Sequence, residues 1–124
     1  MKDGKHVVLY VDDDRDFLES TRIVLEANGY LVYTGQSAED GLKLYKEIAP
    51  DLIIVDLMME EVDAGTGMAR DLKLLGNKAP VYMLSSVGDQ LNMSIDYNEL
   101  GLSGIFQKPM DAANILKIFK AKLG

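Results

Sequence analysis

Val7-Val8-Leu9-Tyr10-Val11-Asp12-Asp13-Asp14 is an unbroken apolar run that ends abruptly in three acids. A short continuous run of this kind, rich in β-branched residues, predicts a strand buried on both faces. Leu52-Ile53-Ile54-Val55 repeats the pattern and again stops at an acid, Asp56. Val81-Tyr82-Met83-Leu84 stops at Ser85, and Gly104-Ile105-Phe106-Gln107 stops at Lys108-Pro109. Tyr30-Leu31-Val32-Tyr33-Thr34 has the β-branched and aromatic content of one more strand.

The stretches between these runs change period. After Asp14, residues Phe17, Thr21, Val24, Leu25 and Asn28 fall at helical spacing, with Gly29 as a stop. Ser37-Ala38-Glu39-Asp40 is a variant of the capping box, and the helix it opens carries Ala38, Leu42, Tyr45 and Ile48 on one face before Pro50. A further helix is predicted from about Gly67 to Leu75, and another between Asp89 and Leu100. Asp111 can cap a last one, with Ile115, Phe119 and Lys122 in line and Leu116 and Leu123 alongside. Five strands alternating with five helices predict a single α/β domain over residues 1–124, its parallel sheet covered on both sides. In open sheets of this kind ligands bind beyond the carboxyl ends of the strands. That rule selects Asp12, Asp13, Asp14, Asp56, Ser85 and Lys108.

Composition narrows the chemistry. The chain has 124 residues and no cysteine, which excludes disulfides, thiol catalysis and cysteine metal sites. His6 is the one histidine, so no site needing two can form within the chain. His6 itself is expected at the surface. The balance of 13 basic and 20 acidic residues, net −7, argues against direct nucleic-acid binding and against attraction to anionic membranes. No apolar run approaches the ~18 residues of a membrane span, and the polar N-terminus lacks a signal-peptide stretch, so a cytoplasmic location is expected.

Acids that end neighbouring strands ~4.8 Å apart converge and repel. At ~4 Å and an effective dielectric of ~20 the repulsion is roughly 4 kcal/mol per pair, so Asp12, Asp13 and Asp56 call for a cation. Oxygen ligands with room for water suit Mg²⁺, with Mn²⁺ as a substitute. Lys108 adds a fixed positive charge, and Ser85 a hydroxyl that can donate to a phosphoryl oxygen. A carboxylate among such groups is equipped to attack phosphorus and become an aspartyl phosphate. Asp14 and Asp16 read more simply as acids at a helix start.

Four segments in this order, Val11-Asp12-Asp13-Asp14, Pro50 to Met59, Pro80 to Ser86 and Gly101 to Pro109, resemble the receiver domains of two-component response regulators, the CheY-like family. The resemblance spans nearly the whole chain. It implies a flavodoxin-like doubly wound sheet of five parallel strands in the order 2-1-3-4-5, with five helices. It implies a phosphorylation-controlled signalling switch rather than a metabolic enzyme, with self-catalysed phosphorylation and dephosphorylation of an aspartate. Asp56 is then the phosphoacceptor. Asp12, Asp13, Asp56 and the backbone carbonyl of Met58 are the metal ligands, Ser85 is the switch hydroxyl and Lys108 the family's lysine. The implied phosphoryl source is a histidine kinase or a histidine phosphotransfer protein. The implied downstream partner is a protein docking on the face of the fourth helix, fifth strand and fifth helix.

The chain departs from the family at Ile105, where a switch aromatic is usual, and in the acidic stretch Glu60-Glu61-Val62-Asp63-Ala64-Gly65, one residue longer than usual. These departures suggest the alternative of a phosphorylation-independent interaction module of the same fold. A calcium loop on Asp12, Asp14 and Asp16 fails, because Phe17 and Ile23 fall where glycine and glutamate are required. A flavodoxin-like cofactor binder is disfavoured because no Ser/Thr/Gly-rich phosphate loop follows the first strand.

Overall fold

The structure, a computed structural model, describes residues 4–56, 64–85, 101–107 and 112–123. Its strands are β1 (Val7–Val11), β2 (Leu31–Gly35), β3 (Leu52–Asp56), β4 (Val81–Ser85) and β5 (Gly104–Gln107). Its helices are α1 (Arg15–Ala27), α2 (Ala38–Ile48), α3 (Ala64–Leu74) and α4 (Ala112–Leu123). The helix expected between Asp89 and Leu100 lies outside the described residues. All pairings are parallel, in the order β2-β1-β3-β4-β5.

The continuous apolar runs are explained by burial. Every position of β1, β3 and β4 is buried. Side chains alternate between two cores because successive residues of a strand point to opposite faces. Val8, Tyr10, Ile54 and Leu84 pack on Leu18 and Leu25 of α1 and on Ile115 and Phe119 of α4. Leu9, Val11, Ile53 and Val55 pack on Met68 and Leu72 of α3. Leu42, Tyr45 and Ile48 of α2 lie against this second core.

Local signals start the helices as expected. Asp14 is the N-cap of α1, its Oδ1 accepting from the Phe17 N–H at 3.1 Å. Ser37 caps α2 by accepting from the Asp40 N–H at 3.1 Å. Three expectations need correction. The buried stripe of α1 is Leu18, Thr21 and Leu25, with Phe17 and Val24 on its half-buried flanks. Helix α3 begins at Ala64, three residues before the expected start near Gly67, and so takes in the glycines at 65 and 67. Burial of Met68, Ala69 and Leu72 outweighs the poor helix propensity of those glycines. The second strand is shifted by one residue, because the Tyr30 N–H still bonds back to the Leu25 carbonyl at 3.1 Å.

Gly41 sets how closely α2 approaches the sheet. A Cβ there would lie 2.6 Å from Val11 Cγ2 and 2.7 Å from Met68 Cε, so only glycine fits this approach without a shift.

At the opposite edge from the acids, Asp51 ties β3 to β1. Its N–H donates to the Val7 carbonyl at 2.7 Å, and its Oδ2 accepts the Val7 N–H at 2.8 Å. His6 is not the free surface residue expected: it is half-buried, with Nδ1 3.8 Å from the same carboxylate oxygen. Burial opposes ionisation of Asp51, but the Val7 N–H bond and nearby positive charge, His6 included, hold its carboxyl below the ordinary value. The unfolded chain therefore binds a proton here at higher pH than the folded one. The stability Asp51 contributes is complete above its unfolded pKa of about 3.9 and is lost as pH falls below it, through the depressed folded value. Urea melts at pH 5, 4 and 3 should show a shallower acid loss of stability for Asp51→Asn than for wild type. Equal pH dependence would mean that Asp51 is not a source of the acid sensitivity.

Candidate metal-assisted phosphoryl site

The parallel register gathers the acids. Val11 pairs with Val55, so Asp12 and Asp56 stand side by side at the carboxyl ends of β1 and β3. Both lie on the strand face that carries Tyr10 and Ile54. One carboxylate oxygen from each of Asp12, Asp13 and Asp56 lies within 4.8 Å of the others. Asp12 and Asp56 are buried, at 0% and 3% exposure, and Asp13 is exposed. The cluster therefore has two acids in the floor of the site and one at its rim.

Asp12 is held from several sides. Its N–H donates to the Gly35 carbonyl at 3.0 Å. Its Oδ1 accepts the Asp14 N–H at 3.0 Å, and its Oδ2 accepts the Tyr10 hydroxyl at 3.3 Å. Burial, reinforced by the charge of Asp12, pushes the Tyr10 phenol far above its ordinary pKa, so its proton stays available for donation.

Ser85 completes the described part of the site. Asp56 pairs with Leu84, so Ser85 is the next residue along β4 and lies at the same edge. It is 1% exposed, and its Oγ has no hydrogen-bond partner among the described residues. A buried hydroxyl without a partner costs roughly 1–3 kcal/mol, so this position favours an incoming acceptor. β5 ends at Gln107, the register partner of Ser85. Lys108, which follows it, lies outside the described residues, as do Met58 and the acids Glu60, Glu61 and Asp63. Asp14 and Asp16 take no part in the cluster: Asp14 caps α1, and Asp16 belongs to its first turn.

The donor set fits a hard divalent cation. It consists of carboxylate oxygens at mutual distances that a small ion can bridge, with no nitrogen or sulfur among them.

A model of the response regulator receiver domain matches residues 8–120. The chain belongs to the response regulator receiver domain family. Response regulator MprA of Mycolicibacterium vanbaalenii is 31% identical over 116 residues, covering 94% of this chain and 49% of that protein. Chemotaxis protein CheY of Bacillus subtilis is 29% identical over 119 residues, covering 95% of this chain and 98% of that one. A solved response regulator receiver domain from Clostridium thermocellum superposes with a TM-score of 0.85 at 25% identity, covering 95% and 94% of the two chains. The chain spans about half the length of the first curated relatives it matches.

Receiver domains are signalling domains, and the acidic pocket of this receiver domain is the Asp12, Asp13 and Asp56 cluster. Its acids were legible in the sequence as strand ends. Tyr10 was not singled out, although the two-residue period of β1 puts it on the same face as Asp12. No helix among the described residues of this receiver domain is long and apolar enough to cross a membrane.

Proposed function

We propose that this receiver domain is a phosphorylation-controlled switch of a two-component system, with Asp56 as the phosphoacceptor. The convergence of three carboxylates within 4.8 Å at the carboxyl edge of the sheet carries this reading. Asp12, Asp13 and Asp56, with the Met58 carbonyl, would hold Mg²⁺ or Mn²⁺. When bound, the cation neutralises charge on the acids and on the transferring phosphoryl group.

An oxygen of Asp56 attacks phosphorus. The new O–P bond forms as the bond to the donor breaks, and the donor's leaving group departs with that electron pair. With no general base in the described site, the donor must bring an activated phosphoryl group. A phosphohistidine on a histidine kinase or a phosphotransfer protein meets that need. Lys108 supplies the second positive charge, and the Ser85 hydroxyl donates to a phosphoryl oxygen. The downstream surface consists of β5, α4 and the helix expected between Asp89 and Leu100. The fold does not touch DNA itself in this reading, and the domain works in the cytoplasm.

Beryllofluoride with Mg²⁺, a stable stand-in for the phosphoryl group, tests the switch. Wild type should bind it and show amide chemical-shift changes that spread from the site along β4. Ser85→Ala should still accept phosphate on Asp56 but lose one charge-assisted hydrogen bond, about 1.5–3 kcal/mol of bias toward the active state. Its shift changes should therefore be smaller and closer to the site. Changes equal to wild type would remove Ser85 from the switch. No beryllofluoride binding at all by wild type would favour the phosphorylation-independent module, the reading suggested by Ile105.

A further inference from the structure

Asp12 is fully buried, and a carboxylate in that position needs donors to hold it. Each of its oxygens accepts a hydrogen bond from a different part of the chain. Oδ1 is fixed by the Asp14 N–H in the turn into α1, and Oδ2 by the Tyr10 hydroxyl within the core. Two bonds to different oxygens fix the orientation of the carboxylate plane. In that orientation one Asp12 oxygen lies within 4.8 Å of oxygens of Asp13 and Asp56.

The Tyr10 hydroxyl is itself well placed to act as a fixed donor. Tyr10 is 0% exposed, and its ring meets the Phe17 ring edge-on with centroids 6.5 Å apart. The acceptor within reach of its hydroxyl proton is Asp12 Oδ2, at 3.3 Å. Packing alone would be served by phenylalanine; the hydroxyl is the part that reaches the acid.

We infer that Tyr10 is a positioning residue for cation binding, its hydroxyl orienting the Asp12 carboxylate toward the site. The inference rests on the reading of the acid cluster as a Mg²⁺ site. Outer hydrogen-bond partners of metal ligands commonly contribute tenfold or more to metal affinity, by fixing the ligand before the ion arrives.

The experiment is calorimetric titration of Mg²⁺ into wild type, Tyr10→Phe and Tyr30→Phe at one pH and ionic strength, with no phosphoryl donor present. Tyr30 is a control: it is also buried, and its ring lies edge-on against Phe119 at 5.3 Å, just before β2 rather than at the acid cluster. Tyr10→Phe should weaken Mg²⁺ binding about tenfold. Tyr30→Phe should stay within about twofold of wild type, whatever either variant does to stability, because loss of a core hydroxyl elsewhere leaves Asp12 held. A second measurement needs only the wild type: the Tyr10 ring Cζ resonance, assigned through its contact with Phe17, should move with Mg²⁺ while that of Tyr30 does not. Tyr10→Phe binding Mg²⁺ as tightly as wild type, or a Tyr10 resonance indifferent to Mg²⁺, overturns the inference and leaves the site reading intact. A wild type that binds no Mg²⁺ overturns both.

Discussion

Asp56→Asn should take up no phosphate from acetyl phosphate in millimolar Mg²⁺, whereas wild type should gain the mass of one phosphoryl group. The reason is chemical and local. An amide oxygen is a far weaker nucleophile than a carboxylate, and the other acids of the cluster do not replace it. Asp12 is buried and fixed in orientation by the Tyr10 hydroxyl and the Asp14 N–H, and Asp13 stands at the exposed rim. Substitution at Asp56 is nearly isosteric and removes one charge from a crowded set, so the variant should fold. Intact-mass spectrometry before and after incubation reads the result directly. A variant labelled to wild-type extent would mean that another residue is the acceptor.

Asp13→Asn separates the cost of the acid cluster from its use. Two like charges at 4.8 Å repel by about 3.5 kcal/mol at an effective dielectric of 20, but by less than about 1 kcal/mol in bulk water. Asp13 is exposed, so its share lies toward the lower end and shrinks further with salt. In EDTA the variant should therefore be more stable than wild type, by on the order of 1 kcal/mol. Mg²⁺ reverses the order. At a hundredfold excess over Kd it stabilises a folded site by about 2.7 kcal/mol, and a variant lacking one ligand should lose most of that gain and its phosphorylation. Urea melts of both proteins, each with EDTA and with millimolar Mg²⁺, make the comparison. Lower stability of the variant in EDTA would show that compensating bonds hold Asp13. An undiminished Mg²⁺ shift would move the metal away from Asp13.

Individual residues show where sequence reading succeeds and where it stops. The runs at Val7–Val11, Leu52–Val55 and Val81–Leu84 were legible as buried strands because both of their faces are covered, which leaves no polar alternation to interpret. Asp14 and Ser37 were legible as helix starts because a capping side chain bonds its own near neighbours. Leu18 was missed as the centre of the α1 stripe. A helical period limits the buried face to a broad arc, and docking against the sheet and the last helix chooses the centre within it. The start of α3 was expected near Gly67 and lies at Ala64, because the burial of Met68 and Leu72 that holds the helix comes from distant strands rather than from its own first turn.

The order of strands and helices, the acids at two strand ends and the serine at a third were determined by the sequence alone, since each rests on contacts within a few residues. The cluster itself depends on tertiary structure. Only the parallel register, with Val11 beside Val55 and Asp56 beside Leu84, brings residues 12, 56 and 85 to one edge. Only the tertiary contact of the Phe17 ring of α1 with the Tyr10 ring packs the residue whose hydroxyl supports Asp12. Pairing partners of this kind are separated by tens of residues, and their choice is made by the burial of both sheet faces at once, which no local stretch of sequence records.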